Sequence, residues 1–163
     1  MYTDWLLKMK ENEAQTTLEE RVVELLAEHK MTVTTAESCT GGLIAATLVN
    51  VPGASDVLNE GYITYSNEAK IRLVNVSPET LERYGAVSSQ TAKEMANGAA
   101  KAAKAEAALS ATGIAGPGGG TEEKPVGLVY IGCSVNGKTT AKRCVFDGNR
   151  MAVSYTHLTL PTN

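Results

Sequence analysis

Residues Thr34 to Gly42 read TTAESCTGG, which crowds four hydroxyls, one carboxylate and one thiol between the apolar runs MTV and LIAATLVNV. A strand that runs through a glycine turn into a helix leaves backbone N–H groups unpaired at the helix start, and with the helix dipole these favour an anion. The hydroxyls of Ser38 and Thr40 are then open to three uses: capping the helix, binding a phosphate, or carrying a nucleophile at an exposed elbow. Capping needs one hydroxyl, and here there are several, with Glu37 beside them.

Two further stretches have groups suited to the same chemistry. Ser110 to Gly127, SATGIAGPGGGTEEKPVG, is glycine-rich and follows an apolar segment, so its backbone can approach a ligand closely. Gly119-Gly120 stand where a Walker A loop requires Lys-Ser/Thr, and no helical pattern follows Thr121, so neither nucleotide fingerprint is met. Phosphate binding and a mobile surface loop both remain open for it. The other stretch, YSNEAK, supplies Tyr65 and Lys70. If its strand neighbours the one before Ser38, these groups share the sheet edge where ligands of open α/β sheets gather. A lysine desolvated there loses its proton readily and acts as a base; the alternative is a solvent-facing lysine on a helical turn. His29 closes a helix and His157 lies near the chain end, which argues against a Ser-His-Asp triad and a histidine-rich zinc site.

The elements that must position these groups alternate. Thr16 with Glu19 predicts a capping box opening a helix, with Leu18, Val22, Leu25 and Leu26 on one face. MTVTTA predicts a buried strand. LIAATLVNV predicts a helix so apolar all round that it is buried on more than one side. GYITYS predicts a second strand, NEAKIRLVNV a short helix, and Ser77-Pro78 the opening of another. SSQTAKEMANGAAKAAKAE predicts a long helix with Ala92, Met95, Ala96, Ala99 and Ala103 on one face. After the strand AALSATG and the glycine loop, LVYIGCSV and TTAKRCVF form a hairpin through Asn136-Gly137. That order predicts an α/β fold with a mixed sheet, helices on both faces and a C-terminal β-hairpin.

At 163 residues the chain fits one domain, and a net charge of −3 with scattered Lys and Arg argues against nucleic acid as a partner. No run reaches the roughly 18 apolar residues of a membrane span. The first fifteen residues, with only a short WLL patch, read as a loose extension rather than a signal peptide. Cys39, Cys133 and Cys144 form no CxxC pair, which suits reduced thiols in a cytoplasm. Residues 151–163, MAVSYTHLTLPTN, lack helical periodicity and read as an atypical tail outside the domain spanning residues 16–150.

TTAESCTGG, GYITYSNEAK, GAVSSQTAKEMANGA, TGIAGPGGGTEEKPVG and FDGNR, in that order, resemble the CinA C-terminal domain family, which includes stand-alone nicotinamide mononucleotide deamidases. The resemblance implies a three-layer α/β/α sandwich and hydrolysis of nicotinamide mononucleotide to nicotinate mononucleotide and ammonia. It also implies a small-molecule substrate, no metal, no organic cofactor and a homo-oligomer. Larger relatives carry a preceding domain similar to molybdopterin-binding proteins, and this chain resembles the short form without it. Ser38, Ser55, Tyr65, Lys70, Thr112 and Arg150 match active-site positions of the family. On that basis Ser38 is expected to attack or to position water, with Lys70 and Tyr65 moving the proton. Thr112 and the backbone of Gly113 to Gly116 are expected to bind substrate or the oxyanion. Arg150, Thr40 and the Gly41-Gly42 helix start are expected at the phosphate, and Glu37 at the cationic ring. Asn149 departs from the usual Gly-Asp-Arg pattern before Arg150. Two other readings stand beside this one: a sensor that binds a pyridine nucleotide without hydrolysing it, and a hydrolase of another small amide.

Overall fold

In the computed structural model, which describes residues 16–156, five strands form one open mixed sheet in the order β2-β1-β3-β4-β5. The expected extension over residues 1–15 and the last residues of the expected tail, 157–163, lie outside the described residues. Helix α1 (Leu18–Glu28) leads into β1 (Val33–Glu37), and α2 (Leu43–Val49) and a short 3-10 turn (Ala54–Asp56) precede β2 (Tyr62–Ile63). Three helices follow: α3 (Asn67–Val74), α4 (Pro78–Tyr84) and α5 (Ser89–Ala103). Strands β3 (Ala107–Gly113), β4 (Leu128–Val135) and β5 (Lys138–Val145) precede α6 (Arg150–Thr156). β1 runs parallel to β2 and β3, while β4 is antiparallel to β3 and to β5.

Strand alternation sorts the helices into layers, because successive side chains point to opposite faces. Val33 and Ala107 pack with Val23 and Leu26 of α1 and Leu48 of α2. Ala36 and Ala108 pack on the other face with Val74, Leu81, Met95 and Ala99, from α3, α4 and α5. The predicted three-layer architecture is therefore the one observed, and Asn136-Gly137 turns the hairpin with positive φ at both residues. No helix among the described residues is long and apolar enough to cross a membrane.

Four local expectations change. The capping box is one residue later, Thr17 with Glu20, and the buried face of α1 is Val23 and Leu26, with Leu18 and Leu25 exposed. α2 buries one side only: Ile44 and Leu48 face the core while Val49 is 64% exposed. Of its other apolar residues, Ala46 and Val49 stay exposed, so the helix has neighbours on one side rather than all round. The second strand is just two residues long, because beyond Ile63 the carbonyls of Thr64 and Tyr65 turn to a lysine instead of a strand partner. Finally, the supposed tail is helical through Thr156. Asn149 Oδ1 accepts from Ala152 N–H at 3.0 Å, and Val153 is fully buried with Phe146, Val129 and Ala111. A seven-residue helix is too short to register as a periodic pattern.

Candidate active site

Parallel β1, β2 and β3 end at one edge of the sheet, where β4 begins and β5 finishes, so five strand ends meet there. Ser38 follows β1 directly, and its N–H donates to Ala111 O at 2.9 Å, which fixes it to β3. Gly41 (φ +61°) and Gly42 (φ +108°) then reverse the chain in a region that side chains avoid.

The start of α2 is not vacant. Glu37 is fully buried, and its carboxylate accepts from the N–H groups of Gly42 (2.9 Å), Ile44 (3.0 Å) and Ala45 (2.9 Å). A carboxylate taken from water must use its lone pairs, and the unpaired donors of a helix start are the partners within reach. Two expectations fall with this geometry. The Gly41-Gly42 helix start does not offer its donors to a phosphate, and Glu37 does not face a substrate ring. Thr40 is also buried; its Oγ1 has no partner among the described residues, and it stands outside the cavity lining.

Lys70 projects from the first turn of α3 into the interior, where it is 1% exposed. Its Nζ donates to Thr64 O at 2.9 Å, Tyr65 O at 3.3 Å and Ser38 Oγ at 3.2 Å. Among the described residues no carboxylate forms an ion pair with it. Burial holds its pKa below the ordinary lysine value, only partly opposed by Cys39 and Glu68. Burial pushes the thiol of Cys39, the neighbour of Ser38, up to about 11, so it rests protonated.

Ser38, Cys39, Tyr65, Lys70, Thr112, Gly113 and Arg150 line a cavity of about 230 Å³ together with Ala86, Val87 and Ala115. Arg150, the first residue of α6, donates from Nη1 to Gly116 O at 3.0 Å and from Nη2 to Tyr65 Oη at 3.3 Å. Tyr65 is largely exposed, so its hydroxyl belongs to the cavity mouth while its carbonyl serves Lys70. Thr112 Oγ1 donates to Ala86 O at 2.8 Å, tying β3 to the turn between α4 and α5. Ser55 is exposed in the 3-10 turn, near Val57, whose carbonyl accepts from Val33 N–H at the opposite end of β1; it is not brought to the cavity.

Sequence reasoning missed the wall formed by Ala86 and Val87, since nothing in their residue types marks them. The signal was indirect: Ser88 caps α5, which places the residues before it at the helix start. Among the described residues no group of three His, Cys, Asp or Glu side chains is arranged to hold a metal ion.

The family described as CinA C-terminal domain matches residues 15–159. A competence-damage inducible protein of Clostridium perfringens (strain SM101) is 57% identical over 141 residues, 86% of this chain and 34% of that protein. One from Clostridioides difficile (strain 630) is 52% identical over 153 residues, 94% of this chain and 36% of that protein. The chain thus spans about a third of the length of these curated relatives. The crystal structure of competence/damage inducible protein CihA from Agrobacterium tumefaciens superposes with a TM-score of 0.84 at 42% identity, covering 87% of both chains. That of a CinA superfamily protein from Escherichia coli gives 0.84 at 32% identity, covering 90% of this chain and 87% of the other.

Proposed function

This chain belongs to the CinA C-terminal domain family, and from that premise we propose that it is an amidohydrolase converting nicotinamide mononucleotide and water to nicotinate mononucleotide and ammonia. The observation that carries this reading is the buried Lys70 amine 3.2 Å from Ser38 Oγ inside a cavity large enough for a carboxamide ring. A serine hydroxyl is a weak nucleophile until a neighbouring base takes its proton, and an amine whose pKa burial lowers gives up its own proton more readily and can serve as that base.

Ser38 Oγ attacks the carboxamide carbon as its proton passes to Lys70 Nζ. Lys70 returns that proton to the departing nitrogen, the C–N bond breaks and ammonia leaves. Water then attacks the acyl-serine, giving one proton to Lys70; as the C–Oγ bond breaks, Lys70 passes that proton to Oγ, which restores Ser38, and the acid product releases its remaining proton to solvent and departs as nicotinate. Thr112 Oγ1 gives its proton to Ala86 O, so it presents lone pairs that accept an N–H of the substrate amide. Arg150, with donors remaining beyond Gly116 and Tyr65, takes the phosphate at the mouth. In this route Lys70 carries the proton, while the Tyr65 hydroxyl accepts from Arg150 and holds that guanidinium at the mouth.

The test is ammonia release from nicotinamide mononucleotide, with Ser38→Ala alongside. Turnover is expected from the wild type and absent from the mutant, while calorimetry still records nucleotide binding by both. Near-normal turnover of Ser38→Ala would remove the covalent route, and no ammonia from a folded wild type would remove the deamidase.

A further inference from the structure

The charges around the cavity bear on which carboxamides it takes, an inference that rests on the amidohydrolase reading. The charged or chargeable nitrogen groups on its lining are Arg150 and Lys70, and no carboxylate is among the described lining residues. The acid nearest in sequence, Glu37, adjoins Ser38, but its oxygens accept from three N–H groups of α2. Glu68, beside Lys70 in sequence, is exposed and bonded to Ser66 at the start of α3. The apolar part of the same lining is made by the small side chains of Ala86, Val87 and Ala115, with Tyr65 the one aromatic among the described lining residues. Small apolar side chains contact a ring by shape, while a pyridinium charge meets no carboxylate among the described lining residues.

We infer that this site selects a flat aromatic carboxamide carrying an anionic arm without regard to ring charge, so that neutral-ring carboxamide nucleotides are substrates alongside the cationic one. The anion is read at Arg150, the amide at Ser38, Lys70 and Thr112, and the ring by shape alone.

The experiment compares nicotinamide mononucleotide with its neutral isostere, in which a benzene ring replaces the pyridinium in the same ribose phosphate. Ammonia release gives kcat/KM for each, and calorimetry gives Kd. Values within about threefold of one another are expected, a difference under ~1 kcal/mol. A preference for the cationic compound of about thirtyfold or more, ~2 kcal/mol, would overturn the inference while leaving the deamidase intact. If neither compound releases ammonia, the deamidase reading fails and the Kd values decide: equal affinities keep charge-indifferent recognition, and binding of the cation alone, or of neither, overturns it.

Discussion

A lysine amine and a serine hydroxyl 3.2 Å apart are useful only if the amine is neutral when the hydroxyl must lose its proton. Burial moves Lys70 toward that condition by disfavouring the ammonium form, and two backbone carbonyls orient the nitrogen without the counter-charge a carboxylate would add. Lys70→Met is therefore expected to lower kcat by about a thousandfold. Lys70→Arg should be as damaging, because a guanidinium does not deprotonate. For the wild type, kcat/KM should rise with pH as Lys70 loses its proton, with an inflection below the ordinary lysine value. Stability has the same sign: between the lowered folded pKa and the unfolded one, the unfolded chain binds more protons, so stability rises with pH across that window. A pH–rate series and urea melts on wild type and Lys70→Met check both, and a flat wild-type profile would count against Lys70 as the base.

Among the elements, the α2 start and the α3–α5 contact set the tolerances of the site. Glu37 satisfies three backbone donors at once, so Glu37→Ala leaves buried N–H groups unpaired beside Ser38 and should cost about 3 kcal/mol or more in a urea melt. Glu37→Gln keeps the shape but sets an amide N–H against a donor, and should fall between the two. Gly98 lets α5 approach the end of α3 so closely that an added Cβ would lie 1.7 Å from Val74 O. Gly98→Ala must therefore push α3, and Lys70 with it, for about 2–3 kcal/mol or more. If Gly98→Ala melts like the wild type, the close approach is not what holds α3 in place. The glycine pair of the first motif is legible from sequence as turn residues; Gly98, inside an alanine-rich helix, was not, because its reason is another element's backbone.

For the whole molecule, the cavity closes only when the chain's last described helix returns to the edge where β1 and β3 end. Arg150 is held over the mouth by Gly116 and Tyr65, and α6 is anchored one turn later by the fully buried Val153. A charge at that position enters the cluster of Phe146, Val129 and Ala111, so Val153→Asp is expected to destabilise by about 3 kcal/mol or more. With α6 loosened, KM for the nucleotide should rise more than kcat falls. Thermal melts with steady-state kinetics read this, and unchanged KM in a destabilised but folded mutant would detach Arg150 from substrate binding.

Much of this arrangement is local and so was readable in order along the chain. Apolar and β-branched runs marked the strands, periodicity marked the long helix, Asn136-Gly137 marked the hairpin, and hydroxyls beside paired glycines marked Ser38 as part of a strand-to-helix junction. These follow from backbone sterics and from which side of an element must leave water, quantities carried by a residue and its near neighbours. Tertiary structure decided the rest. It joined Ser38 to Lys70, thirty-two residues apart, and turned Glu37 from a ligand group into an internal cap. It left Ser55 at the far end of β1 and made residues after Arg150 part of the core. Those outcomes depend on which donors remain unpaired once the sheet order is set, and that is settled by packing between distant segments rather than by residue type.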